Sequence, residues 1–273
     1  MATTTAPADP AVRARLSRRH VRRLLVVLAL VAVVGWSVRG VDLSVSGLLE
    51  ERRGVELLVQ GLFSPDLTAA WLQVALAATV ETVQIAVVGL LLAGLGAAPL
   101  ALLLAANTQA PAPLREAARL VAAVQRGVPD LLWALLLVSA LGPGPAAGAL
   151  ALGVHGAGAL AKLWAEQLEA VDPDPVEAMS LMGAGRVATA ALATVPLARG
   201  GLVSLLLFQG ECNIRASAVL GFVGAGGIGQ ELAISLKLFR YEQLSTLVLA
   251  VLALMLVTDL LSRWWRRRLG ARA

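Results

Sequence analysis

Cysteine, histidine and lysine are nearly absent from this chain, and each absence excludes something. The lone cysteine, Cys212, rules out an intrachain disulfide and any multi-cysteine metal site. Two histidines and that one cysteine supply no metal-ligating constellation. No catalytic group, metal or cofactor is therefore expected. Charge is scarce too: 15% of the residues are Asp, Glu, Lys or Arg, against about 25% in an ordinary globular domain. That excludes a typical soluble enzyme. A disordered chain is excluded by the opposite measure, a hydrophobic share of 58%. The net charge of +5 does not imply nucleic acid. Such a partner needs basic residues gathered on one polar face, and here they lie mostly at the two ends, outside long apolar runs.

Apolar sequence is what the chain has in abundance. A helix crossing a bilayer needs about 20 mostly apolar residues, since no water satisfies its backbone there. Charge-free runs extend from Leu24 to Val38, Thr82 to Leu114 and Leu131 to Ala161. Gly142-Pro143-Gly144-Pro145 cuts the third, because two prolines and two glycines in four residues cannot continue a helix. Two further runs are Pro196 to Phe222, which contains Glu211 and Arg215, and Gln243 to Ser262. Together they predict an all-α membrane protein with six spans near 24–39, 74–106, 118–141, 146–165, 197–222 and 243–262. The second is too long for one straight crossing, and Pro99 is expected to mark its kink or its end. The first has the basic start of a signal peptide, but no small-x-small cleavage site follows Trp36 to Arg39. A retained helix is expected.

Basic residues set the orientation. Arg13, Arg15, Arg18, Arg19, Arg22 and Arg23 precede the first span, and Arg263, Arg266, Arg267, Arg268 and Arg272 follow the last. The tails 1–23 and 263–273 are thus both expected in the cytoplasm, where they can also meet anionic lipid head groups. Six spans then put 17 of the 23 basic residues inside and five outside (Arg39, Arg52, Arg53, Lys237 and Arg240), with Arg215 left in the membrane. Residues 40–70 become an extracytoplasmic loop, where Leu48, Leu49, Leu57 and Leu58 allow a short surface helix.

The cytoplasmic loop 166–198 is too long for a mere connection. Within it Asp174 suits an N-cap, Pro175 the first helical position and Glu177 the third. Gly183 or Gly185 suits the C-terminal stop. The residues specify a helix of about two turns, followed by a segment from Arg186 to Pro196. By themselves they leave open whether this helix docks on a partner or only covers the surface.

Glu177-Ala178, Gly183 six residues after the glutamate and Pro196 thirteen after the glycine resemble the EAA motif of ABC importer permeases. The chain departs from that pattern at Met179, Ala193 and Val195, all small or apolar replacements. The stretch from Asn213 to Gly229 (NIRASAVLGFVGAGGIG) is similar to the phosphonate ABC transporter permease family. Arg126-Gly127-Val128-Pro129-Asp130, His155 and Lys162-Leu163-Trp164-Ala165-Glu166 resemble it too. The resemblance covers about 74–262, and the segment Phe208-Gln209-Gly210-Glu211-Cys212 departs from it. It implies a permease core of the type I, methionine-importer-like fold in a bacterial plasma membrane. In that family the loop carrying Glu177, Ala178, Gly183, Ala184 and Pro196 couples to the ATPase. The implied partners are cytoplasmic ABC ATPase subunits, an extracytoplasmic phosphonate-binding protein, a second permease copy or paralogue, and the lipid bilayer. The implied cargo is a phosphonate or related phosphorus oxyanion, with methionine or another small solute as the alternative. A membrane enzyme finds no support, since no nucleophile–base or carboxylate–metal grouping occurs in the spans.

Gly224, Gly226 and Gly229 satisfy G-x-G-x-x-G, but a dinucleotide fingerprint must follow a buried strand. Here the glycines follow a membrane span, so Gly224, Gly226, Gly227 and Gly229 are read as a bend that packs closely. By resemblance they lie near the outer gate. No G-x-x-x-x-G-K-[ST] occurs, so ATP hydrolysis is expected from another subunit. Charges inside spans tend to mark paths or pairs. Glu211 and Arg215, four apart, share a helix face and leave two readings: they neutralise each other, or Arg215 with Asn213 faces the passage. His155 likewise joins a neighbouring helix or lines the path. Glu81 is expected at an interface, Arg126 and Asp130 at helix ends flanking Pro129, and Asp259 near the cytoplasmic surface.

Overall fold

A computed structural model describes residues 10–40, 52–108 and 110–268. Side-chain placement at 10–22, 52, 53 and 55 is outside that description, as are Leu48 and Leu49 of the expected surface helix. The described residues are helical, without strands. In chain order the helices are α1 (Pro10–Gly40), α2 (Arg52–Leu62), α3 (Ala69–Leu104), α4 (Ala112–Gly127), α5 (Asp130–Leu141) and α6 (Pro145–Glu169). There follow α7 (Pro173–Leu181), α8 (Arg186–Thr189), a π turn (Ala190–Thr194), α9 (Val195–Leu220), α10 (Gly227–Lys237) and α11 (Tyr241–Arg268). The chain divides into two compact units, residues 1–56 and 57–273. In the first, α1 exposes all its described apolar side chains from Leu24 to Val38. The second holds everything discussed below.

Prolines start helices here because their missing N–H is an orphan at that position anyway. Pro145 and Pro173 open α6 and α7, and Pro113 and Pro196 sit one residue inside α4 and α9. Pro99 is the exception. It lies inside α3, which runs on to Leu104, so Pro99 does not end that helix. With 36 residues α3 is about 54 Å long, well beyond the ~30 Å of a hydrocarbon core.

Among the described residues five helices, or helix runs, are long and apolar enough to cross a membrane, six if the bent pair α4–α5 counts as one span. That pair corrects the expected third span. It is two helices at 88°, not one over 118–141. Pro129 cannot donate to the ladder, and it pushes Val128 into an extended conformation (φ −86°, ψ 122°). The carbonyls freed at the bend find partners. Gln125 O accepts from Trp133 Nε1 at 3.1 Å, and Val128 O from His155 Nδ1 at 3.0 Å.

The most buried of the candidate spans is α6. Its inner face is mostly alanine and glycine, with Leu152, Leu160 and Leu168 among them, and α3 presses against it. A methyl group added at Gly153 would lie 2.7 Å from Leu92 Cβ, and one at Gly156 would lie 2.9 Å from Ala93 Cβ. Small residues let two spanning helices approach until their backbones pack, the main source of attraction where lipid is as apolar as leucine. Around this seam lie one apolar cluster (Ile85, Ala149, Leu152, Leu220) and a second at the opposite end (Ala101, Ala165, Leu168, Ala198).

Candidate functional site

The loop between α6 and α9 folds into the expected short helix, in a different register. Asp172, not Asp174, caps α7. Its carboxylate accepts from the Asp174 N–H at 3.2 Å, with Pro173 as first helical residue. The repeat Asp-Pro-Asp-Pro offers two chemically equal starts, and the helix takes the earlier one. The stop falls on Gly183, not Gly185. Gly183 has φ +83°, its N–H bonds Ser180 O at 3.0 Å, and Ala184 N–H bonds Met179 O at 3.2 Å. These two bonds close a Schellman motif, which uses a left-handed residue. Nothing lies within 4 Å of a side chain that might be built at Gly183. Glu177 and Ala178 are exposed, and Leu181 and Met182 are 88% and 74% exposed. Val176, Glu177 and Ser180 of α7 border a cavity of about 270 Å³ shared with Asn107 and Glu169. Glu169 anchors that side by accepting the Ala106 N–H at 2.7 Å. Pro196 stands at the start of α9, after the π turn.

The glycine segment after α9 is a tight bend. Gly224, Gly226 and Gly227 all have positive φ (88°, 82° and 68°). Gly229 has no room for a methyl group, which would meet the Ala218 carbonyl. The bend docks on the Gly-Pro turn before α6, where Gly144 N–H bonds Gly224 O at 2.8 Å. Thr82 of α3, which the sequence reading passed over, caps the next helix: its Oγ1 accepts the Ile228 N–H at 2.8 Å. A threonine inside an apolar span gives no periodic signal, and its partner lies 146 positions away. Glu81 is half-buried beside this bend, its carboxylate 2.9 Å from where a Gly226 side chain would begin.

The intramembrane polar residues sort themselves differently from expectation. Asn213 is 1% exposed and lies against Gln209 Nε2 (2.9 Å) and the α3 backbone, at Ala86 or, with the amide turned over, at Leu90. In this structure it joins α9 to α3 and faces no open space. His155, partly buried, bonds the α4–α5 bend, which is the helix-joining arrangement. Glu211 does not pair with Arg215. It accepts from Arg266 Nη2 at 2.8 Å, across from α9 to the last turn of α11. Asp259 pairs with Arg263 one turn along α11. Arg215 is exposed, and its recorded bond is a weak one to Cys212 Sγ at 3.8 Å. Glu211, Arg215, Thr258 and Asp259 border a cavity of about 290 Å³ between α9 and α11. Arg266 was legible in the sequence only as one of the terminal arginines.

A third opening, of about 580 Å³, lies where α2 meets the α10–α11 turn and is bordered by Gln60, Asp66, Arg240 and Glu242. Asp66 accepts the Thr68 N–H at 3.0 Å. That bond, with further ones to the Thr68 hydroxyl and Gln243, holds its carboxyl below the usual value, against a smaller effect of burial. Among the described residues no group of three or more His, Cys, Asp or Glu is arranged to hold a metal.

Comparison with known proteins adds to this geometry. Residues 97–273 match the family described as binding-protein-dependent transport system inner membrane component. The phosphite transport system permease protein PtxC of Stutzerimonas stutzeri is 32% identical over 247 residues, 89% of this chain and 87% of that protein. The phosphate-import permease protein PhnE of Mycolicibacterium smegmatis is 38% identical over 188 residues, 69% of this chain and 35% of that protein. Among solved structures, an inward-facing MetNI methionine ABC transporter chain matches with a TM-score of 0.66 at 19% identity, over 74% of this chain and 99% of its own length.

Proposed function

This chain belongs to the family of binding-protein-dependent transport system inner membrane components, and from that premise we propose that it forms the passage for a small phosphorus oxyanion in an ATP-driven importer. The chain is the permease component, and a cytoplasmic ATPase supplies the energy. An extracytoplasmic binding protein delivers phosphonate, phosphite or a related oxyanion, and a second copy or a paralogue completes the passage. Both termini lie in the cytoplasm of a bacterial cell. Relatives that carry phosphite and phosphate in their names support the cargo class.

The observation that carries the coupling role is the free face of α7. Glu177, Ala178, Leu181 and Met182 are exposed on a helix capped at both ends and set between two spanning helices. Leu181 and Met182 display apolar surface there, as a docking surface does. Closure of the ATPase pulls α7, and the pull reaches α9 through Gly183, Ala184 and the segment ending at Pro196. The passage then alternates between two faces without covalent chemistry.

The test has two arms. Gentle solubilisation of the chain with its ATPase and binding protein should bring down a subunit with Walker motifs; its consistent absence overturns the coupling role. Vesicles holding the complex should show ATP hydrolysis stimulated by phosphite or a phosphonate. Stimulation by methionine alone overturns the cargo.

A further inference from the structure

Glu211 and Arg215 stand one turn apart on α9, the spacing at which opposite charges pair by default. The fold prevents it. Arg266 takes Glu211 at 2.8 Å, with the two side chains 24% and 14% exposed. Asp259, the other carboxylate of the cavity, is taken by Arg263. Arg215 is therefore left on an exposed face of a spanning helix, with no carboxylate within ion-pair reach among the described residues. An arginine in an apolar span needs a partner or a polar space. Here the space is a cavity of about 290 Å³, walled by Ile214, Leu252, Met255 and Leu256, whose polar edge is Glu211, Thr258 and Asp259.

We infer that Arg215 is an anion subsite of the passage for a small phosphorus oxyanion, and that Arg266 keeps it open by holding Glu211 away. This rests on the oxyanion reading above. The guanidinium suits the ligand, since its planar fork matches two oxygens of such an anion. The arrangement also contains its own release. When Arg266 withdraws, Glu211 is free to turn to Arg215, and the oxyanion loses its counter-charge to an internal carboxylate. The two ends of this exchange move with different elements. Glu211 and Arg215 ride on α9, which continues through the π turn from α8 and hence from the coupling loop, while Arg266 rides on α11. Sliding α9 past the end of α11 is thus a means of trading one pair for the other. Arg215 is the binding group and Arg266 a positioning residue.

The test is uptake of labelled phosphite and inorganic phosphate by the complete transporter in vesicles, per permease molecule inserted. R215Q should lower the maximal rate about tenfold or more, the worth of one charge-assisted hydrogen bond. R266Q should do the same, although Arg266 lies outside the subsite, because it frees Glu211. R266K should fall less than R266Q. E211Q keeps the subsite open but loses the release, so it should lower the maximal rate with an unchanged KM, whereas R266Q should raise the KM as well. The double variant E211Q/R266Q should match E211Q, with the KM restored. A pair that merely holds two helices together gives another pattern: E211Q and R266Q are equally harmful, both lower the amount inserted, and R215Q transports as the wild type does. That pattern overturns the inference. If instead the wild-type complex takes up methionine and neither oxyanion, the cargo reading fails and the subsite falls with it.

Discussion

Gly183 holds φ +83° in open space, so its role is conformational. A side chain there meets no neighbour, but a β-branched residue resists the left-handed region, at a cost of about 1–2 kcal/mol. Gly183→Val is expected to unwind the end of α7 and weaken ATPase association and uptake, with normal insertion. Gly183→Asn, which tolerates that region, should lie in between. Measuring co-purified ATPase per inserted permease checks both, and full coupling in the valine variant would remove the loop from the mechanism. This position was legible in the sequence, because a glycine after two helical turns is a stop signal wherever the helix lies. Arg266 and Thr82 were not. Their roles come from partners 55 and 146 positions away, and no local pattern encodes those distances.

Helix α7 illustrates how an element can be predicted and still be misplaced. Both Asp-Pro pairs satisfy the rule for a helix start, and backbone geometry chose Asp172. Asp172→Ala is therefore expected to destabilise α7 by about 1 kcal/mol, the usual worth of an N-cap. Asp174→Ala, inside the first turn, should cost less, at about 0.3–1 kcal/mol from the helix dipole. Hydrogen exchange of the α7 amides in the solubilised protein separates the two, and equal effects would return the cap to Asp174. The α4–α5 bend shows the converse. Pro129 was visible, with Arg126 and Asp130 beside it, but the span was still read as one over 118–141. The 88° angle depends on Trp133 and His155 satisfying the carbonyls that the break sets free.

The placement of the arginines along the sequence assigns a topology that labelling can check. Phe239, 74% exposed between α10 and α11, falls on the side assigned to the outside, and Leu181, 88% exposed at the end of α7, on the cytoplasmic side. With Cys212 replaced by serine, a membrane-impermeant thiol reagent applied to intact cells should label F239C and leave L181C untouched. Inverted vesicles should give the reverse. Labelling of L181C from outside would invert the topology and remove α7 from the reach of a cytoplasmic ATPase.

Composition and turn chemistry were enough to establish the class of molecule, most of its apolar spans and the presence of a short helix in the loop. Each follows from a local rule, bilayer thickness or turn chemistry. Packing alone settled which polar groups in the spans are tied and which are free. Asn213 turned inward to α3, His155 to the bend and Glu211 to Arg266, and Arg215 was left facing a cavity. A charge in an apolar helix must find a partner, and only the arrangement of neighbouring helices determines whether that partner is a side chain or a passing ion.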